Sequence, residues 1–376
     1  MTTPAGRSRR GALSVLGVAV LTAAIAGCQT TASPAPSLEG GVGGSGDIPA
    51  SSGVMPGGSD DTGVASPAPS GSTAAGLDQP LALEQAFEAV VTQVGPSIVL
   101  IETSAGLGSG VVFDSSGDIV TNAHVVGTDK QFRVTTSTGN TLNANLVGSF
   151  AADDLAVIHV EGSSLQAASF GDSSQLRVGE IVLALGNPLG LQSSVTEGIV
   201  SAVGRTVDEP GGAALPGVIQ TSASINPGNS GGALVDLEQQ VVGIPTLTAT
   251  DPQLGGAAPG IGFAIPSNTA VDIAKQLVAN GKVVSSHRAY LGIRAATVQG
   301  ATGVLVYSVD AGGPAAKAGL PADVLITSIA GQPVDSQGTL SSILANLQPG
   351  QVVDVVIEQR DGTTATIKVT LGELPG

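Results

Sequence analysis

The sequence predicts a mostly β protein with two folded regions behind a long polar N-terminal segment. Three observations support this: a length of 376 residues, many short Val- and Ile-rich runs separated by Gly, Asn, Asp and Ser, and few helical patterns between those runs. Many strands with few intervening helices favour a β-barrel or sandwich over alternating strand–helix units. The length suits two domains. The second is predicted to be a small α+β domain from four strand-like runs and one helical pattern.

The first 27 residues have the pattern of an export signal. Three arginines among the first ten residues precede an uncharged apolar stretch over 11–27, which is short for a membrane span and suits a signal peptide. The stretch runs into IAGC, which resembles the bacterial lipobox, where the cysteine is lipidated. Cys28 is the only cysteine of the chain, so an anchor explains it better than a disulfide. A plain secretory signal beside a chance cysteine is the alternative.

These features predict an exported protein, lipid-anchored on the outer face of a bacterial cytoplasmic membrane, or a periplasmic or outer-membrane lipoprotein. Residues 28–79 are the predicted disordered tether, because their Gly, Ser, Pro, Ala and Thr cannot offset chain entropy by burial. Cleavage of the signal moves the formal net charge from −16 to −19. Nucleic acid is therefore not an expected partner.

The larger folded region is predicted over 80–282. Apolar residues recur at helical spacing before Gly95, which predicts an opening helix. Eleven short β-rich runs follow, among them DIVTNAHVV. The segment SNTAVDIAKQLVANG then predicts a closing helix, with Ser267 as its N-cap and Gly281 as its stop.

One serine between glycines, in INPGNSGGAL, fits two kinds of hydrolase site. The pattern G-x-S-x-G marks the elbow of α/β-hydrolases, whose acid and histidine both follow the serine. The pattern G-[DN]-S-G-G marks chymotrypsin-like proteases, in which histidine and aspartate precede the serine. The only histidine after Ser230 is His287, in a polar junction between the two regions. The elbow interpretation is therefore rejected.

Three motifs occur in the order that the second pattern requires. They are TNAHVV with His124, DDLAVI with Asp154 and NPGNSGG with Ser230. Their order and surroundings resemble the HtrA/Deg family of chymotrypsin-like serine proteases, and the resemblance spans about 81–372. It implies a double β-barrel protease domain and an endopeptidase for misfolded or tagged proteins outside the cytoplasm. It also implies no metal or cofactor, and an assembly as a homotrimer.

The resemblance gives each motif a chemical role. A serine hydroxyl is a weak nucleophile, so His124 accepts its proton, while Asp154 holds the imidazole and stabilises its charged form. The oxyanion hole is expected at Gly228, Asn229 and Ser230, with backbone N–H groups facing the developing negative charge.

Two polar residues near the motifs are interpreted as structural. Asp153 is expected to be solvated surface, because the family's triad acid directly precedes Leu-Ala-Val, as Asp154 does. His159 lies in no matching motif and is expected to be a packed or surface histidine.

The resemblance also places the pocket for the side chain that precedes the scissile bond. The expected lining is apolar and uncharged: Ile225, Ile244, Phe263 and Ala264. We therefore expect a preference for small or medium aliphatic residues such as Val, Ala, Leu or Ile.

The C-terminal region, 284–372, resembles a bacterial protease-associated PDZ domain through AYLGI, GGPAAKAGL and SIAGQPV. Four strands and a helix around TLSSILANL are predicted. The expected carboxylate-binding loop is Tyr290, Leu291, Gly292 and Ile293. Its N–H groups would hold a peptide C-terminus, while the next strand accepts the peptide as an added β-strand.

Two other functions stay open from sequence. One is a peptide-binding chaperone or scaffold with an idle triad, and the other is a regulatory sensor protease with a single target. The first lacks hydrolysis, and the second differs from a broad protease only in substrate range.

Overall fold

The computed structural model describes residues 78–162, 165–187, 194–208, 214–226, 228–251, 256–298 and 300–376. The predicted signal peptide, Cys28 and nearly all of the predicted tether lie outside these residues. Within these ranges the chain forms two closed six-stranded barrels and a smaller sheet domain, which confirms the predicted mostly β fold. In the same part of the chain, no helix has the length and apolar character needed to cross a membrane.

The first barrel follows a helix, α1 (Asp78–Val94), that ends before Gly95 as predicted. Its strands are β1 (Ile98–Glu102), β2 (Leu107–Val112), β3 (Asp118–Thr121), β4 (Gln131–Thr135), β5 (Thr141–Phe150) and β6 (Leu155–Val160). They close in the order β1-β2-β3-β6-β5-β4 around buried Val, Ile and Ala side chains.

The structure of this barrel differs from the sequence analysis at two places. The run DIVTNAHVV is not one strand, because β3 ends at Thr121 and a single-turn helix, α2 (Ala123–Val126), follows. The sequence also did not predict β5. Alternate β5 residues such as Asn143 and Asn145 are exposed, so the strand has one solvated face and a weak apolar signal.

The second barrel closes in the order β10-β11-β12-β9-β8-β7. Its strands are β7 (Ile181–Gly186), β8 (Ser194–Asp208), β9 (Ala214–Thr221), β10 (Ala233–Asp236), β11 (Val241–Asp251) and β12 (Gly256–Pro266). One core cluster joins the barrels, because Val111 and Val120 of the first pack in it with Leu183 and Leu185 of the second. The cleft between the barrels is thus held by shared apolar burial.

A long helix, α3 (Ser267–Asn280), packs on this shared core through Ile273 and Leu277. Gly281 ends it in the left-handed conformation, φ 67°, as predicted. The predicted N-cap was wrong, because Ser267 is already helical and its hydroxyl donates to the Gly171 carbonyl at 2.7 Å.

The C-terminal domain is a sheet with two short helices, α4 (Pro314–Lys317) and α5 (Gln337–Ala345). Its strands are β13 (Ala289–Tyr290), β14 (Ile293–Thr297), β15 (Val304–Val309), β16 (Val324–Ile329), β17 (Gln332–Pro333), β18 (Val352–Glu358), β19 (Thr364–Thr370) and β20 (Gly372–Glu373). The main sheet has the order β14-β15-β16-β18-β19, and β20 pairs with β13. The end of the domain thereby returns to its start. The boundaries 80–282 and 284–372 stay predictions.

Asp172 ties the segment before β7 to the start of α3. Its carboxylate accepts from Asn268 Nδ2 at 2.7 Å, from Ser174 Oγ at 2.7 Å and from Ser174 N at 3.0 Å. These hydrogen bonds, with the Asn268 bond the largest cause, lower the pKa of Asp172 from 3.8 to about 2. A depressed folded-state pKa means stability that is present above the unfolded pKa and lost as the pH falls through the folded one.

We expect Asp172→Asn, which mimics the protonated acid, to melt at a lower temperature than the wild type near neutral pH. The difference should shrink as the pH falls from about 4 to about 2. Circular dichroism melts across this range measure it, with exposed Glu161→Gln as a control for the loss of one charge. A difference that stays constant with pH would contradict the assignment.

Candidate active site

The structure brings His124, Asp154 and Ser230 together at the junction of the barrels. His124 lies in α2, after β3, and Asp154 lies between β5 and β6, so both come from the first barrel. Ser230 lies in the turn before β10 of the second barrel. His124, Gly228 and Ser230 line one cleft of about 370 Å³. Three separate connections on two barrels thus supply the predicted triad.

The carboxylate of Asp154 holds His124 at two points. Asp154 Oδ2 lies 2.8 Å from His124 Nδ1, and Oδ1 accepts the His124 backbone N–H at 2.9 Å. The acid is 4% exposed and the imidazole 47%. An ionised carboxylate only accepts, so Nδ1 carries the proton and the neutral ring presents Nε2 as its acceptor. This is the tautomer that a general base for Ser230 needs.

Two further residues, which the sequence did not identify, hold Asp154. Thr246 Oγ1 donates to Asp154 Oδ2 at 2.5 Å, and Asn122 Nδ2 donates to the Asp154 carbonyl at 3.0 Å. Thr246 and Asn122 are buried. The available signal was a polar threonine within the apolar run VVGIPTL, since a buried hydroxyl requires a partner.

Ser109 holds both sides of the serine turn. Its N–H donates to the Ser230 carbonyl at 2.9 Å, and its hydroxyl donates to the Gly228 carbonyl at 2.6 Å. The same hydroxyl accepts from the Asn187 backbone N–H at 2.8 Å. Gly228 has φ 105°, which favours glycine. Ser109 thus fixes the direction of the Gly228 carbonyl. In the sequence, the one indication of this role is the position of Ser109 between glycines in GLGSGVV.

The structure corrects the expected role of Asn229 in the oxyanion hole. Its N–H donates to the Asn226 carbonyl at 3.1 Å. Its side chain is buried, accepting from Asn226 N at 3.0 Å and donating to the Ser224 carbonyl at 3.0 Å. Because its amide is engaged inside the turn, Asn229 braces the turn and is not placed to bind an oxyanion.

The four predicted pocket residues pack in three different clusters of the fold. Ile225 lines the cleft beside Ser230. Ala264 packs in the same core cluster as Ile225, whereas Ile244 lies in the core between the barrels and Phe263 packs in a third cluster. Neighbouring side chains on a strand point to opposite faces, so Phe263 and Ala264 cannot line the same pocket. Of the four, Ile225 is the residue that faces the cleft directly.

The segment before the serine is tied to β8. Thr221 Oγ1 donates to the Ile199 carbonyl at 2.9 Å, and the hydroxyl of Ser222 accepts from Ile199 N at 3.0 Å. Thr196 Oγ1 donates to the Ser224 carbonyl at 2.9 Å. These bonds fix the backbone wall of the cleft on which Ile225 stands.

The structure agrees with the structural interpretation of His159 but not with the surface interpretation of Asp153. His159 Nδ1 lies 2.8 Å from Asp118 Oδ1 across paired strands, as a partly buried structural histidine. The surface interpretation of Asp153 was wrong, since its side chain is 7% exposed and bonds Arg288. Burial raises its pKa, and the Arg288 charge opposes that shift.

The predicted carboxylate loop of the PDZ domain lies at one end of a groove. Gly292, φ 77°, gives the loop its turn, and the Leu291 and Gly292 carbonyls accept from Ala315 and Asp310 backbone N–H groups at 2.9 and 3.0 Å. In a planar trans peptide the N–H points opposite to the carbonyl. The N–H groups of Gly292 and Ile293 therefore point away from that contact, as a carboxylate site requires.

The groove continues between β14 and α5. Strand β14 is an edge of its sheet among the described residues, so it can accept an added strand. The cavity of about 230 Å³ is lined by the loop, by α5 residues such as Leu340 and Leu344, and by Arg288, Ala152 and Ala214 at the protease side. The hydroxyl of Tyr290 donates to the Asp310 carboxylate, and burial, followed by this bond, raises the pKa of Tyr290 to about 12.

We expect Thr246→Val to lower kcat/KM for a short peptide ester roughly 10- to 100-fold, because a hydrogen bond to an ionised carboxylate is lost while the side-chain shape is kept. Steady-state kinetics measure the loss. Thr246→Ser keeps the donor and should retain most activity. A valine variant with wild-type kcat/KM would show that this bond is dispensable.

We expect Ser109→Ala to lower kcat roughly tenfold with little change in KM, because the Gly228 carbonyl loses the donor that fixes its direction. The matched control is Ser97→Ala. Ser97 is equally buried, and its hydroxyl has no hydrogen-bond partner in the described part of the chain. Equal effects of the two substitutions on kcat would argue against a role for Ser109 at the turn.

Comparison with known proteins places these features in a family. Residues 108–244 match the trypsin-like peptidase domain, and residues 289–371 match the PDZ domain. The chain is 40% identical over 310 residues to the serine protease PepD of Mycobacterium tuberculosis, covering 76% of this chain and 66% of that one. A probable periplasmic serine endoprotease, DegP-like, from Halomonas elongata is 38% identical, with 73% and 58% covered. The chain thus spans about two thirds or less of the length of these relatives.

The fold agrees with solved structures. The HtrA-type protease AlgW, solved with a tripeptide, has 33% identity and a TM-score of 0.55, over 77% of this chain and 98% of that one. The two barrels contain the match to the trypsin-like domain, and the PDZ domain follows them in the chain, which is the order that the sequence predicted. The chain belongs to the HtrA family of serine proteases.

Proposed function

We propose that this protein is a serine endopeptidase that degrades or processes misfolded or tagged proteins outside the cytoplasm. The observation that carries the proposal is the meeting of His124, Asp154, Ser230 and Gly228 at one cleft. Hydrolysis of unfolded protein by the wild type, and not by Ser230→Ala, is its direct test.

The geometry supports the chemistry step by step. Ser230 Oγ attacks the scissile carbonyl carbon while His124 Nε2 takes its proton, and His124 then gives that proton to the leaving amine. Asp154 keeps the ring in the required tautomer through the 2.8 Å contact to Nδ1. The backbone N–H groups of Gly228 and Ser230 are the proposed donors to the oxyanion. Water then releases the acyl group from Ser230 by the same steps.

The cleft supports a preference for aliphatic side chains before the scissile bond. Ile225 and Thr248 stand on its wall, and neither carries a charge to pair with Lys or Arg. We therefore propose a preference for Val, Ala, Leu or Ile before the scissile bond, with Ile225 as its main determinant among the four predicted pocket residues.

The PDZ groove is proposed to bind peptide C-termini. The outward N–H groups of Gly292 and Ile293 are suited to the carboxylate, and the open edge of β14 is suited to the peptide backbone. The apolar side chains Leu340 and Leu344 line the groove. Such a ligand is a substrate end or a tag on a partner.

Export, anchoring and assembly complete the proposal. The basic and apolar start of the chain, followed by Cys28, supports an exported lipoprotein. The periplasmic name of the Halomonas elongata relative agrees with export. A homotrimer is proposed from family membership, and a formal charge of −16 argues against nucleic acid as a partner.

The test uses β-casein as an unfolded substrate, with the wild type and Ser230→Ala compared and product ends identified by mass spectrometry. We expect the substitution to lower kcat by roughly 10⁶-fold, with Val, Ala, Leu or Ile before the cut. Ser116→Ala, at an exposed turn, is the matched control and should cleave normally.

Two outcomes would redirect the proposal. Absence of cleavage by the wild type, even with C-terminal peptides added for the PDZ groove, would favour the chaperone or scaffold with an idle triad. Cleavage with Lys or Arg before the cut would leave the endopeptidase intact and reject the proposed pocket.

A further inference from the structure

Arg288 stands where the two barrels and the PDZ domain meet. Its Nη1 donates to the Ala152 carbonyl at 2.6 Å and to Asp153 Oδ1 at 2.5 Å. Its Nη2 donates to the Ala214 carbonyl at 2.7 Å. Ala152 and Asp153 belong to the β5–β6 connection of the first barrel, and Ala214 opens β9 of the second. One guanidinium thus joins three parts of the fold.

The ion pair between Arg288 and Asp153 is shielded from water. The two side chains are 14% and 7% exposed. Removing one partner of such a pair leaves an uncompensated charge, whereas removing both does not. The planar guanidinium spreads its donors over two nitrogens, so Nη1 bonds the first barrel while Nη2 bonds the second, whereas an ammonium group has all three of its donors on one nitrogen.

The backbone of Arg288 is itself held in place. Its carbonyl accepts from the Leu374 N–H at 2.8 Å, and its N–H donates to Ser286 Oγ at 3.3 Å. The hydroxyl of Ser286 in turn donates to the Leu374 carbonyl at 2.7 Å. Leu374 also packs against the core between the barrels. The guanidinium therefore projects from a fixed base.

The loop that Arg288 holds leads directly into Asp154. Ala151–Asp153 form one 3₁₀ turn, and Asp154 follows in the left-handed conformation, φ 49° and ψ 42°. The left-handed conformation is strained for a residue other than glycine, so Asp154 keeps it only because the surrounding structure holds it there. Asp154 N donates to the Ala151 carbonyl at 3.2 Å, so a shift of the turn moves the acid that holds His124.

We propose that Arg288 is a positioning residue for the triad, fixing the turn that aims the Asp154 carboxylate at His124. The proposal rests on the proposed role of Asp154 as the triad acid. Arg288 is not among the residues that line the cleft beside Ser230, and it acts through the Ala152 carbonyl and the Asp153 carboxylate.

The test compares full-length variants in three measurements: hydrolysis of a short peptide ester, the rate of Ser230 labelling by a fluorophosphonate, and the downfield ¹H NMR resonance of the His124 Nδ1 proton. Arg288→Ala should lower kcat and the labelling rate by about tenfold or more, with KM little changed, because small misplacements at a catalytic group are costly. The proton resonance should shift or broaden. Arg360→Ala, which breaks an exposed ion pair with Asp323, should change none of the three.

A double variant separates positioning from simple charge neutralisation. The double variant Arg288→Ala/Asp153→Ala removes both buried charges, so no uncompensated charge destabilises the fold. Its melting temperature, compared with that of Arg288→Ala, verifies this. The double variant should stay as slow as Arg288→Ala, because the Ala152 and Ala214 carbonyls remain unheld. Recovery of wild-type kcat and labelling in the double variant, or higher activity in Arg288→Ala, would overturn the proposal.

The NMR measurement keeps this test separate from that of the proposed function. If the wild type hydrolyses nothing, the proposed function fails, yet the His124 proton resonance still reports whether Arg288 positions Asp154. An unchanged resonance in Arg288→Ala would then reject the positioning role.

Discussion

The buried carboxylate of Asp154 is the constraint on which the arrangement of the molecule depends. Taking a carboxylate out of water costs several kcal/mol unless its oxygens are well hydrogen-bonded. The His124 ring and backbone N–H come from the first barrel, but the Thr246 hydroxyl comes from β11 of the second. The acid is fully satisfied only when the barrels are closed on each other, so the closure that forms the core also assembles the site.

The serine turn shows the same dependence from the other side of the cleft. A side chain on Gly231, φ 80°, would overlap the Ser109 carbonyl and the Thr121 hydroxyl of the first barrel. One on Gly232 would overlap the Leu185 carbonyl of the neighbouring strand β7. The two glycines after Ser230 are therefore required by the close approach of the backbones, apart from any need of the reaction. The motif that identifies the serine is also a packing requirement.

The sequence predicted features that depend on residues close together in the chain, and it missed features that depend on contacts between residues far apart in the chain. The helices α1 and α3 and the three motifs were found because periodicity, stop signals and short motifs can each be recognised within one segment of the chain. Strand β5 was missed because its exposed face is polar. The solvated interpretation of Asp153 failed because its partner, Arg288, lies 135 positions away. Ser109, Thr246 and the division of the predicted pocket likewise depend on contacts between barrels or on the face of a strand, which no single segment encodes.

The groove of the PDZ domain and the turn before Asp154 are both in contact with Arg288. One wall of the groove is α5, which rests on the second barrel through Ser342 Oγ to Asp208 Oδ1 at 2.5 Å and Thr206 Oγ1 to Asn346 Oδ1 at 3.1 Å. Arg288 lines the same cavity and holds the turn before Asp154. If a groove ligand binds better when Arg288 holds that turn, then ligand binding must favour the held turn by an equal free energy, since coupling between two sites is reciprocal. Under that condition, the contacts of Arg288 with the groove and with Asp153 would make peptide affinity and triad geometry depend on each other.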